Sequence, residues 1–362
     1  MSMERIFFEL IRVALGTAER LSRTPSAEEW QEVFGMAERQ SLTGICFRGL
    51  QRLRAGAEGQ TENVGREFYA EWMGCAAMIE RQNERMDRQC AFVARQVEEA
   101  GFRACIFKGR SVARRYGELR MLRQSGDIDV WLMAAPRDVL RWARSVEEVS
   151  YVGYHHLDLE VFSDTKLEVH YRPSLSRNLV RNARLQRWFR EEGERLLVEG
   201  PGWRMPGDAF SIVLTLNHTF WHLLYEGVGM RHLMDLYFVV KGRSEALTRR
   251  EVEGLLDRFR LRTFCAAAMW VLHEVFGLRP EEMLCEPDAS RGRSLLQEVM
   301  MAGEFGQHDE RRTWTTDGNR MVLMWHWMKH NWRLIRQYPS DVLWTPLGVM
   351  YIAAWPKLRM RG

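Results

Sequence analysis

The run Gly126-Asp127-Ile128-Asp129-Val130-Trp131-Leu132 constrains this chain more than any other stretch. It reads as the start of a buried strand, in which residues i and i+2 point to the same side. Asp127 and Asp129 then project together, while Ile128 and Val130 face a core. Gly126 permits a sharp turn or a close approach just ahead of them. Two parallel carboxylates repel each other unless a cation or a shared proton lies between, so the pattern asks for a divalent ion or for coupled protonation. A solvated strand end carrying two acids is the plainer alternative.

The flanking segments place this strand in a small α/β unit. Arg103 to Phe107 predicts a short strand, Lys108-Gly109-Arg110-Ser111 a tight turn, and Ser111 to about Tyr116 a helix. After the acidic strand, Pro136 opens a helix to about Val149. Tyr154 to Phe162 and Lys166 to Arg172 then read as two strands of a hairpin joined by Ser163-Asp164-Thr165. Residues 102–172 therefore predict strand, helix, strand, helix, strand, strand, with mixed pairing. In Lys166 to Tyr171, alternation sets Leu167, Val169 and Tyr171 against Lys166, Glu168 and His170. Glu168 becomes the favoured third carboxylate. Asp158 and Glu160 compete from the preceding strand but read as lying outside its face unit, and Asp164 reads as a turn residue.

Such a set suits phosphoryl transfer, which needs positioning and charge neutralisation more than covalent help from the protein. Two metal ions about 3.5–4 Å apart can hold the attacking and leaving oxygens, and carboxylates must hold the metals. A glycine at a strand-to-helix turn bares backbone N–H groups, an anion site to which Lys108, Arg110 and Ser111 could add donors.

The segments Ile106 to Leu132 and Lys166 to Pro173 resemble the uncharacterised nucleotidyltransferase family of the DNA polymerase β-type superfamily. The resemblance rests on Phe107-Lys108-Gly109, Tyr116, an Arg-containing turn at Arg120 or Arg123, Gly126-Asp127-Ile128-Asp129, and Glu168-Val169-His170. It extends more loosely to the Trp30 helix and to His218, His222 and Asp235. It implies Mg²⁺-dependent transfer of a nucleoside monophosphate from an NTP to an acceptor hydroxyl. Asp127, Asp129 and Glu168 would be the metal ligands, with Asp129 or Glu168 as base, and Lys108, Gly109, Arg110, Ser111 and Arg123 would hold the nucleotide. Two departures stand out: Arg110 follows Gly109 where the superfamily commonly has Ser or Gly, and Glu168 stands where relatives often have Asp. The acceptor is left open among a small molecule, an RNA end and a protein hydroxyl. A non-catalytic nucleotide- or RNA-binding module with the same fold is the rival reading.

The remainder predicts an α+β protein with helical flanks: an N-terminal helical region over 1–100, the α/β core over 101–175 and a C-terminal helical domain over 176–362. Helical apolar spacing runs through 3–16, a capping box at Ser26 opens a helix to about Gln40, and Gly101 closes a long helix from about Glu67. Later helices fit 178–197, 208–225, 230–241, 248–259, 261–276, 291–304 and 317–337, with a polar loop from Gly303 to Thr316. His218 and His222, four apart on one helix, and His232 and Asp235 on the next read as zinc ligands, as a polar cleft wall or as hydrogen-bonded core residues, with no third zinc ligand evident in the sequence. Arg177, Arg181 and Arg184 share a helix face that either contacts phosphates of substrate or RNA or is simply solvated.

A net charge of +4 over 362 residues does not by itself call for a nucleic-acid partner. The six cysteines form no CxxC pair, which fits reduced thiols and a cytoplasmic location. No signal peptide is read at the N-terminus. The apolar stretch Val342 to Trp355 is shorter than the roughly 20 residues that span a bilayer. With Lys357, Arg359 and Arg361 behind it, peripheral membrane contact stays open.

Overall fold

A computed structural model describes residues 3–56, 59–200, 202–303 and 331–360. Residues 317–330 of the predicted helix over 317–337 and all of the loop from Gly303 to Thr316 except Gly303 lie outside the described residues, as does Arg361.

The sheet is built from β1 (Ala104–Phe107), β2 (Asp127–Leu132), β3 (Val149–Val152), β4 (His156–Leu159) and β5 (Lys166–His170), in the order β1-β2-β5-β4-β3. The β2/β5 pair is parallel and the other pairs are antiparallel, so the pairing is mixed, as expected. Period-two alternation divides the two faces. Ile128, Val130, Leu132, Leu167, Val169, Leu157 and Leu159 pack in one core against α4 (Arg66–Glu99) and α6 (Pro136–Val146). The opposite face carries Asp127, Asp129, Glu168, His156 and Asp158 toward one end and Trp131 toward the other. Trp131 joins a second core with α1 (Met3–Leu15), α2 (Ala27–Arg39), α3 (Thr43–Gly56) and the C-terminal helices. The N- and C-terminal helical parts thus share one core around the sheet.

Between β1 and β2 the helix begins two residues earlier than expected, as α5 (Gly109–Ala113), and continues as a 3₁₀ segment over Arg114–Met121. β3 falls where the sequence suggested the end of α6. Its alternation is weak, because it is an edge strand with Ser150 and Tyr151 exposed. The C-terminal part comprises α7 (Leu179–Glu192), a small hairpin of β6 (Leu197–Glu199) and β7 (Arg204–Pro206), α8 (Asp208–Tyr225), α9 (Met230–Lys241), α10 (Arg249–Arg258), α11 (Arg262–Phe276), α12 (Ala289–Ala302) and α13 (Pro339–Arg359). The expected helices α8 and α9 have the expected bounds. The β6/β7 hairpin was read as helix and loop.

α13 contains the apolar stretch considered for membrane contact. No described helix is long and apolar enough to cross a membrane. Trp355 of α13 packs on Tyr154 and Tyr171, with the Arg172 guanidinium 4.0 Å from its ring centroid, while Leu343, Leu347, Met350 and Leu358 of the same helix are exposed. Arg181 of α7 binds Asp341 of α13 at 2.6 and 3.1 Å and also donates to the carbonyl oxygens of Phe259 and Arg260. Arg181 and Arg177 are buried, and Arg177 stacks on Tyr225 at 3.8 Å. Arg177 and Arg181 are therefore neither solvated nor open to nucleic acid. They lie in the seam between α7, α8 and α13, and only Arg184 of the three remains outside it.

Gly348 lets α13 meet this seam, since a Cβ there would fall 2.2 Å from the Arg177 carbonyl oxygen. Gly348→Ala should cost about 1–3 kcal/mol through forced separation of the helices. Urea denaturation measures this, and an unchanged midpoint would contradict the packing.

Candidate functional site

The parallel register sets Asp129 opposite Glu168 and Asp127 opposite Lys166. All three acids lie on the face turned away from the α4/α6 core, and Asp127, Asp129 and Glu168 line one cavity with Lys108 and Gly109. Ligand oxygens of Asp129 and Glu168 and a ring nitrogen of His170 lie within 4.8 Å of one another.

Positive groups hold this negative set together. Lys108 Nζ is 2.7 Å from Asp129 Oδ1. His170 Nε2 donates to the same oxygen at 2.8 Å and stands 3.3 Å from Glu168 Oε2. Lys166 bridges Glu168 at 2.9 Å and Asp158 at 3.0 Å. Lys108 adopts φ 55° and ψ −147°, a conformation costing a non-glycine residue about 1–3 kcal/mol and concentrated at functional sites. That twist turns the chain from β1 into α5 and brings the ammonium to the acids.

The electrostatics separate the three carboxylates. Burial raises the proton affinity of Asp129, but Lys108 and His170 outweigh it and hold the carboxyl below its ordinary value. Burial likewise opposes ionisation of Glu168, and His170 and Lys108 overcome it by a wide margin. At Asp127, Lys108 and Arg231 act the same way but are outweighed. Burial, then repulsion from Asp129 and Glu168, pushes it up to about 6. Of the three, Asp127 is the carboxylate able to take a proton near neutrality. Asp129 and Glu168, the bases expected from the sequence, are the weaker ones. Lys108 loses charge stability to burial but regains more from Asp129 and Glu168, so its pKa is raised.

Three residues expected to hold the nucleotide have other work. Arg110 is 1% exposed and binds Asp87 of α4 at 2.8 Å. Ser111 donates to the Ile106 carbonyl at 2.6 Å and accepts from Trp203 Nε1 at 3.1 Å. With α5 starting at Gly109, both side chains fall on the helix side packed against its neighbours. Arg123 does border the cavity, but Asp235 of α9 grips it through two 2.7 Å bonds. Its remaining amine bonds Ser125 Oγ and the Gln124 carbonyl. Tyr116 donates to Asp235 at 2.6 Å. This buried Arg123–Asp235–Tyr116 group fixes the loop entering β2, so Arg123 positions the site.

The structure also adds residues. Asp158 pairs directly opposite Glu168 in the β4/β5 ladder, on the same face. The connection after β4 is longer than a tight turn, which shifts the register from the one expected. Glu160 instead meets Ser150 at the outer edge, and Asp164 meets Arg85 of α4. His155 and His156 border the cavity, and burial lowers the proton affinity of both. The His155-His156 pair ahead of a strand was the available sequence signal. His218, His222, His232 and Asp235 line the same cavity from α8 and α9.

The family described as uncharacterised nucleotidyltransferase matches residues 26–277, more than half of the chain. The chain belongs to the uncharacterised nucleotidyltransferase family. No curated protein and no solved structure matches it. The family match runs from α2 to the end of α11 and contains every residue of the nucleotidyltransferase cavity named above.

In the metal-free nucleotidyltransferase, the folded-state value of Asp127 lies above its unfolded one. The stability it contributes is complete only below the unfolded value near 3.9 and is lost as pH rises through about 6. Asp127→Asn should therefore stabilise the chain in chelator at about pH 7.5 by about 1–2 kcal/mol, with the gain gone by about pH 4. Thermal melts at the two pH values test this, and an equal effect at both would contradict it.

Proposed function

We propose that this protein is a metal-dependent nucleotidyltransferase that moves a nucleoside monophosphate from an NTP to an acceptor hydroxyl and releases pyrophosphate. The observation that carries the reading is the register of Asp129 against Glu168 on parallel strands, with Asp127 one alternation away. The donor set fits a hard divalent cation: carboxylate oxygens of Asp129 and Glu168 converge and are held ionised by their surroundings, and Asp127 lines the same cavity. Asp127, Asp129 and Glu168 would hold Mg²⁺, two ions being the complement that such chemistry uses. When bound, Mg²⁺ supplies neutralisation of the polyphosphate and activation of the acceptor oxygen.

The chain's own groups do the rest. Lys108 is the cation at the cavity floor and exchanges its Asp129 partner for phosphate oxygens when an NTP arrives. Gly109, beside it on the cavity wall, keeps the backbone accessible to the phosphates. The acceptor proton would pass to one of the cavity carboxylates. The Arg123–Asp235–Tyr116 group fixes the segment that enters β2, with Arg123 and Asp235 on the cavity wall.

Incubation with labelled NTPs, Mg²⁺ and a cell extract identifies the acceptor, and pyrophosphate release reports turnover. Asp127→Ala and Asp129→Ala should each lower turnover by about 10²–10³-fold, as loss of an electrostatic stabiliser does. Turnover surviving both changes would overturn the proposal, and NTP binding without turnover on any acceptor would favour the binding-module reading. Lys108→Ala should raise KM for the NTP, whereas Ser111→Ala should leave KM unchanged. The reverse pattern would place the phosphates against α5 instead.

A further inference from the structure

The cavity has a second group of ligating side chains, supplied by α8 and α9 and not by the sheet. His218 and His222 are four residues apart on α8, so their rings share one face. The chain then reverses through Glu226 to Gly229, with Gly227 at φ 97°. His232, in the first turn of α9, is thereby brought back against both rings. Ring centroids are 4.4 Å apart for His218 and His222, 4.4 Å for His222 and His232, and 5.8 Å for His218 and His232. One ring nitrogen from each lies within 4.8 Å of the other two. The third ligand that the sequence did not reveal is His232.

We propose that His218, His222 and His232 bind a zinc-class divalent transition-metal ion through three imidazole nitrogens, leaving a coordination position open to the cavity for an oxygen ligand.

Several observations support this site. His218 Nε2 and His222 Nε2 are 3.2 Å apart, close to the roughly 3.3 Å edge of a tetrahedron with Zn–N bonds of about 2.0–2.1 Å. Glu226 Oε2 lies 3.2 Å from His222 Nδ1. With a metal on Nε2, that carboxylate would serve as the outer partner of the His222 ring, the usual support for a metal-bound histidine. Burial holds His218 and His232 in the neutral form that a metal needs, His232 down to about 3 with the help of Arg231. Arg231 borders the cavity and opposes a cation, while Glu226 and the sheet carboxylates offset it. A hydrogen bond between His218 and His222 accounts for their 3.2 Å separation, but not for the convergence of His232 on both. Imidazole nitrogens select zinc, cobalt or nickel, whereas the carboxylates of the sheet select magnesium. The cavity would then hold two sites of different metal preference.

The test uses the full chain stripped with chelator and Co²⁺ alone as probe, with Zn²⁺ as competitor. Stoichiometric binding, with visible absorption of four- or five-coordinate Co²⁺, is expected in the wild type and in Asp127→Asn/Asp129→Asn. Glu226→Gln, at an exposed position, should weaken binding about 10–100-fold, and His218→Gln and His222→Ala should abolish it. Circular dichroism checks folding. Should His222→Ala not fold, His218→Gln, at the least buried of the three histidines, decides the matter. Absence of stoichiometric binding, binding equal to the wild type in His218→Gln and Glu226→Gln, or loss confined to the aspartate variant would each overturn the proposal. The readout is metal binding alone, so its failure and a failure of nucleotidyl transfer are separate results.

Discussion

Parallel pairing of β2 with β5 is the constraint on which the site depends. It sets Asp129 level with Glu168 and repeats the hydrophobic alternation of both strands, so Ile128, Val130, Leu167 and Val169 are buried together on the other face. A slip of one residue would bury the acids and expose that core, which makes the register among the most strongly specified features of the fold. Clustering the acids carries an electrostatic cost. Lys108 and His170 offset it at Asp129 and Glu168, whereas at Asp127 Lys108 and Arg231 offset it only in part. The uneven compensation gives three similar side chains different proton affinities in the metal-free chain.

The helical parts serve the same arrangement. The Arg123–Asp235–Tyr116 group ties the segment before β2 to α9, and α8 and α9 complete the cavity wall. The cluster is buried, so removing one partner would strand a charge in the interior, which typically costs about 3–5 kcal/mol. Most basic residues between Arg103 and Gly126 follow one logic. Arg103 binds Glu194, Arg110 and Arg114 bind Asp87, Arg115 binds Asp208 and Arg123 binds Asp235. Lys108 is the member of the series whose partner is itself a proposed metal ligand.

What the sequence made legible follows from the range of the forces involved. Strand alternation and helix periodicity are local, so β2, β5, α8, α9 and the shared face of Asp127 and Asp129 could be read directly. The Gly126-Asp127-Ile128-Asp129 run and the Lys108-Gly109 turn also led to the family. Partner choice is not local. Arg110, Ser111 and Arg123 look like phosphate ligands in a string, yet Asp87, Trp203 and Asp235 lie far along the chain and meet them only through the fold. Asp158 was misplaced because the length of the β4/β5 connection sets its register. His232 was separated from His218 and His222 by a reversal whose geometry depends on Gly227. Arg177 and Arg181 read as a solvated or nucleic-acid face because nothing near them in the sequence announces that α13 covers them.

The most direct test is an electron paramagnetic resonance titration of Mn²⁺, standing in for Mg²⁺, into the wild type and the Asp129→Asn variant with an NTP present. The account predicts tight, NTP-enhanced binding by the wild type and loss of that enhancement in the variant. Equal binding by both chains, with or without the nucleotide, would contradict it.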